Sequence, residues 1–224
     1  SQFKSFLKTH RNIVFLEESV DDASIKNKWA KKQIVFQLNW RKDTVDFLSK
    51  CRKIKSMFDV NEMRFLRQYN SKDSNKELEK KIKSRFNIDV VMPANYVVVK
   101  DSGNIFWATY NPKNIEEIKH IIFYSFTPKE IDFKKEILSN TDSVFSNYLL
   151  GVRKNSFVKI ERLYTPSFSN NIFRGLWKLE NGFMGGPFLI KRYVQEGRVV
   201  VAAGVVFAPN SRKRKHVKEM EAIL

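Results

Sequence analysis

Side chains able to do chemistry are few in this chain and lie far apart. The three histidines are His10, His120 and His216, and none has a second ligand at the i, i+4 spacing that sets two imidazoles on one helix face. The single Cys51 has no partner, which rules out an intrachain disulfide and a multi-cysteine metal site; it reads as a small core residue on a helix. Gly-x-Ser-x-Gly, a glycine-rich phosphate loop opening a helix, and paired zinc motifs are all missing from the sequence. Glu180 and Glu196 remain as a carboxylate pair, but both fall in turns, where glutamates are ordinary surface residues. The expectation is no catalytic residue, no metal and no cofactor.

Two segments point to contact rather than reaction. Met184-Gly185-Gly186-Pro187 contains the only adjacent glycines, and glycine costs roughly 0.5 to 1 kcal/mol against alanine wherever alanine fits. Either packing at a sheet corner or a partner's backbone lying against the segment would demand them. Arg212-Lys213-Arg214-Lys215 stands at the start of a helix, where cations oppose the macrodipole and a bound anion would relieve the repulsion. These eight residues are the expected partner-binding residues.

A formal charge of +17, from 41 Lys and Arg against 24 Asp and Glu, implies an anionic surface or partner. Nucleic acid, anionic lipid or lipopolysaccharide phosphate, and an acidic protein all satisfy that sign. Stacking on bases needs aromatic residues on one strand face among basic ones. The strand at 188–194 divides into Phe188, Ile190, Arg192 and Val194 on one face and Leu189, Lys191 and Tyr193 on the other, neither an RNA-binding signature. Nucleic acid is therefore not the favoured partner.

The elements that must position these residues are legible from periodicity and turn chemistry. The stretch 173–209 predicts three antiparallel strands, at 174–179, 188–194 and 199–207, joined through Glu180-Asn181-Gly182 and through Gln195-Glu196-Gly197-Arg198. The last of them is apolar at nearly every position, as in a central strand covered on both faces. Upstream, strands are predicted at 12–16 and 34–40, and Asp43 N-caps a helix to about residue 58, with a further helical piece at 61–69. Ser74 to Glu77 has capping-box spacing, and Leu78, Ile82 and Phe86 form the inner face of the next helix. Strands at 88–92, 96–100, 105–110 and 118–126 follow, then a helix capped by Asp132, a strand at 157–164 and a closing helix at 211–224.

This pattern predicts an α+β fold, one or more antiparallel sheets with helices packed on one face. Residues 1–224 read as a single domain with pseudo-repeat halves at about 30–128 and 129–224, each a helix followed by about four strands. No run approaches the roughly 20 apolar residues needed to cross a bilayer. The chain starts at Ser1 rather than Met, which leads one to expect an upstream signal or anchor.

Several motifs in fixed order carry a family resemblance. They include Arg11-Asn12-Ile13, Trp29-Ala30-Lys31-Lys32-Gln33, Met92-Pro93-Ala94-Asn95-Tyr96 and Asn104-Ile105-Phe106-Trp107. They continue with Arg174-Gly175-Leu176-Trp177, Met184-Gly185-Gly186-Pro187-Phe188 and Gly204-Val205-Val206-Phe207-Ala208-Pro209, then Lys213-Arg214 and Glu219-Met220-Glu221-Ala222-Ile223-Leu224. The chain resembles a domain-of-unknown-function family of uncharacterised envelope lipoproteins of the Bacteroidota, from which it departs by being markedly basic.

The resemblance implies export, a lipidated cysteine upstream of Ser1, and a domain tethered to the outer membrane on its periplasmic or cell-surface side. It implies no catalytic residue. The function expected is that of a non-enzymatic, lipid-anchored envelope protein, an accessory or binding subunit of an outer-membrane protein assembly. Its partner would be an envelope protein, with contact to anionic lipid or lipopolysaccharide. The alternatives are a basic nucleic-acid-binding module and an enzyme with an unrecognised site.

Overall fold

The computed structural model describes residues 5–18, 21–41 and 44–224. The chain divides into two compact units, Ser1–Gln68 and Tyr69–Leu224. The fold class is α+β, as the periodicity predicts.

In the first unit, β1 (Asn12–Glu17) runs parallel to β3 (Ile34–Asn39), whose other edge pairs antiparallel with β2 (Ala23–Lys26), a strand too short and polar to stand out in the sequence. Gln33 explains the Trp29–Gln33 motif. Its buried amide donates to the carbonyls of Lys8 (2.7 Å) and His10 (2.6 Å) and accepts from the Trp29 N–H (3.0 Å), satisfying three backbone groups with one side chain. The pieces predicted at 43–58 and 61–69 are one continuous helix, α1 (Thr44–Asn70), since no glycine or proline interrupts them. The expected cap Asp43 lies outside the described residues. Among the apolar residues of α1, Ile54 is buried with Phe47, Cys51 and Phe58 beside it, whereas Leu48 is exposed.

The second unit is built on one eight-stranded antiparallel sheet. Its strands are β4 (Val97–Ser102), β5 (Ile105–Tyr110), β6 (Ile118–Phe126), β7 (Phe157–Ile160), β8 (Ser167–Ser169), β9 (Ile172–Glu180), β10 (Gly185–Gln195) and β11 (Arg198–Phe207). Their order is β4-β5-β6-β11-β10-β9-β7, with β8 also paired to β9. A meander of β4 to β6 and a second of β9 to β11 thus meet through their last strands, β6 against β11. Helix α2 (Lys76–Phe86) precedes the first meander and α3 (Phe133–Tyr148) the second.

Helices cover both faces of this sheet, not one. Leu78, Ile82 and Phe86 of α2 and Met220 and Ile223 of α4 (Lys213–Ile223) pack with Phe106, Ile121, Phe123 and Val200. On the opposite face, Ile137 and Phe145 of α3 pack with Ile122, Phe188, Ile190 and Val201. The physical reason lies in β11, where Val200, Ala202 and Val206 join the first core and Val199, Val201, Ala203 and Val205 the second. A strand apolar at consecutive positions must be covered twice.

Two local expectations are corrected. Residues 88–92 alternate as a strand would, with Ile88, Val90 and Met92 buried, but their backbone joins no ladder. Instead the Val91 N–H donates to the Ile223 carbonyl (3.2 Å), and the Met92 N–H donates to Glu79 Oε1 (3.2 Å). The cap of α2 is Asn75, whose side chain accepts from the Leu78 N–H (3.1 Å), rather than Ser74. Asp132 caps α3 as expected, accepting from the N–H groups of Lys134 (3.0 Å) and Lys135 (3.2 Å).

Candidate functional site

Antiparallel pairing gathers both predicted contact segments at one end of the large sheet. Phe188 pairs with Val205, so the start of β10 lies beside the end of β11, which leads directly into α4. Phe207 pairs with Ile118 and Glu180 with Phe157, which brings the starts of β6 and β7 to the same end. Met184 to Pro187 and Arg212 to Lys215 therefore share this end, together with the loops at 149–156 and 181–184.

Gly186 of the first segment has an internal explanation. Gly186 pairs across the strands with Trp177, which is 4% exposed, and Phe188 pairs with Gly175. All four side-chain positions face the α3 side of the sheet, so each aromatic ring has a glycine as its cross-strand partner. The Trp177 indole passes over Gly186 and donates its Nε1–H to the Val206 carbonyl on the next strand at 3.0 Å. A Cβ at residue 186 would overlap that carbonyl oxygen and meet the indole nitrogen at 3.2 Å. At Gly175 a Cβ would stand 2.8 Å from the Phe188 ring. The signature is Gly-x-Trp on one strand and Gly-x-Phe on its neighbour, a reciprocal spacing visible in the sequence once the register is known.

The second segment is exposed. Arg212 is the N-cap of α4 and makes no side-chain capping bond, so the positive end of the helix dipole faces a basic run. Lys213 Nζ donates to the carbonyls of Pro209 (2.9 Å) and Ser211 (3.0 Å). Behind this surface lies a polar cluster that sequence reasoning missed, because its members are separated by about a hundred positions. Lys119 on β6 reaches Glu117 (2.6 Å) and Glu219 on α4 (2.7 Å). Burial works against charge on Lys119, but the two carboxylates outweigh it and hold its pKa above the usual lysine value.

His216 is buried beside them. Its Nε2 is 2.6 Å from Ser211 Oγ, and its Nδ1 is 3.4 Å from Glu117 and 3.8 Å from Glu219. Serine, histidine and carboxylate stand in the order of a nucleophile, a base and its orienting group. The relay is incomplete, since Nδ1 makes no hydrogen bond and the Glu117 oxygen nearest it is held by Lys119. Burial first, and then the Lys119 charge, lower the His216 pKa, so the imidazole sits neutral beside an ammonium that already satisfies both carboxylates. The cluster ties α4 to the start of β6.

The other candidates are not brought together. Glu180 ends β9 at this end of the sheet, whereas Glu196 lies in the turn between β10 and β11 at the far end, so the two cannot share a substrate bond. His120 lies under Trp107, whose Nε1–H donates to its Nδ1 at 3.2 Å. Burial pushes the His120 pKa down to about 4. His10 belongs to the first unit.

Comparison with known proteins places one finding on this geometry. The model of a family described as a domain of unknown function (DUF4837) matches residues 74–224, well over half of the chain and nearly all of the second unit. No curated protein and no solved structure matches the chain.

Proposed function

We propose, for a chain that belongs to the domain-of-unknown-function family DUF4837, a non-enzymatic binding role in the cell envelope. In this reading the protein is lipid-anchored at the outer membrane and serves as an accessory subunit of a protein assembly there. The observation that carries the binding role is the exposed basic start of α4, with no side-chain cap and a formal chain charge of +17 behind it. The anchor and its location rest on the motif resemblance. The incomplete Ser211–His216–Glu117 relay supports binding over catalysis.

The test is a native pull-down of the tagged full-length protein from detergent-solubilised membranes. A stoichiometric envelope partner, lost when Arg212, Lys213, Arg214 and Lys215 are all replaced by serine, is the expected result. Recovery of the protein alone from the soluble fraction would overturn the reading.

Nucleic-acid binding has one observation in its favour, in the first unit. Trp29 is part-exposed with Lys28 Nζ 4.7 Å from its ring centre, and Arg11 lies 3.7 Å over Phe65. Retention of a single-stranded oligonucleotide at physiological salt, abolished by Trp29→Ala, would move the assignment to that class.

A further inference from the structure

We infer that the end of the sheet carrying the 149–156 and 181–184 loops is a docking surface for an anionic lipid bilayer, with Phe183 and Val152 entering the interface. The inference shares with the proposal above the premise that the chain works beside a membrane. It adds which surface faces the bilayer and how it is held.

The two loops are built side by side. Asn181 Nδ2 donates to the Asn155 carbonyl (2.9 Å), and the Leu179 side chain lies against both Gly151 and Gly182. Their tips carry apolar side chains turned to solvent: Val152 is 106% exposed, Phe183 85% and Leu150 68%. A single exposed apolar residue is ordinary. Ile131, between Glu130 and Asp132, is such a case. Three on adjoining tips are different, because burying none of them stabilises the fold.

The charge around the tips has one predominant sign. Arg153 and Lys154 follow Val152 directly and are exposed, and the run from Arg212 to Lys215 opens α4 at the same end. Acidic residues here are few and engaged: Glu180 lies 3.9 Å from Lys178, and Glu116 accepts from Asn210 (3.1 Å). Apolar tips with cations at the same end of the sheet match the two layers of an anionic interface, acyl chains below and phosphates at the rim. A protein seated on the two tips alone would bury too little surface for a stable complex. A nucleic acid would leave Val152 and Leu150 without a role.

Vesicle flotation of the 224-residue chain, with no anchor attached, tests this. The chain should float with phosphatidylcholine vesicles containing phosphatidylglycerol, and not with phosphatidylcholine alone. Val152→Ser with Phe183→Ser should lower the bound fraction at least tenfold while leaving Tm unchanged, since neither side chain is buried. Phe183→Trp should show a blue-shifted emission on adding the anionic vesicles. Equal binding by the double variant, equal binding to neutral vesicles, or a tryptophan emission that does not move would each overturn the surface. If flotation fails while the full-length protein still copurifies with an envelope partner, only the docking surface falls. If flotation holds while the full-length protein carries no lipid, the anchored reading falls and the surface stands.

Discussion

The two units hold themselves together by different means. In Ser1–Gln68, β3 and α1 enclose a buried cluster of Phe36, Leu38 and Ile54. Much of the remaining order comes from side chains reaching backbone or aromatic faces, as Gln33 does with three backbone groups and Arg11 with Phe65. In Tyr69–Leu224, one sheet is buried on both faces and β11 has eight consecutive buried positions. Burial scales with layers, so the second unit has a deep core and the first a shallow one. The family match falls on the deep one.

The sharpest way to test that contrast is to delete a large side chain from each core. Trp177→Ala should cost about 3 to 5 kcal/mol, because the ring fills the α3 face and its indole N–H satisfies Val206. Ile54→Ala should cost about 2 kcal/mol, at the low end for such a change, since fewer side chains surround the cavity. Denaturant unfolding reads both, and equal losses would break the comparison.

Gly186→Ala comes next, at about 1 to 3 kcal/mol, because its Cβ would overlap the Val206 carbonyl and displace the indole. A Tm equal to wild type would mean that the adjacent glycines answer to a partner's backbone instead of to Trp177.

A further effect is expected on pH dependence. Burial lowers the His120 pKa from 6.5 to about 4, and its Nδ1 accepts from Trp107, a role only the neutral ring can fill. The unfolded chain takes up the proton near 6.5 and the folded chain only near 4. Stability from this group is therefore complete above about 6.5 and declines as pH falls toward about 4. His216 shifts in the same direction. Chemical unfolding at pH 7 and pH 5 should show a loss that His120→Gln reduces, and an unchanged slope in that variant would remove His120 from the account.

Much of the second unit was legible because its signals are local. The bounds of β5 and β6 follow from alternation between turn residues, Asp132 caps α3 by its own side chain, and the apolar run of β11 announces a strand covered twice. That same run contained the answer to the number of covered faces, although helices on a single face were expected. Residues 88–92 misled because burial on alternate positions looks the same whether the backbone pairs with a strand or with the end of a helix. The candidate site was legible only as separate segments. Strand pairing brings Met184–Pro187 and Arg212–Lys215 to one end, and the packing of α4 on the sheet joins Lys119 to Glu219. Val152 and Phe183 went unseen for a plainer reason: in a sequence, an apolar residue in a loop carries no mark of exposure.

Hydrogen–deuterium exchange of the chain with and without phosphatidylglycerol vesicles tests most directly the claim that one end of the large sheet is the working surface. Slowed exchange confined to residues 149–156, 181–184 and 208–215 is the predicted result. Protection at the opposite end, in residues 127–132 and 195–198, or in the first unit alone, would contradict it.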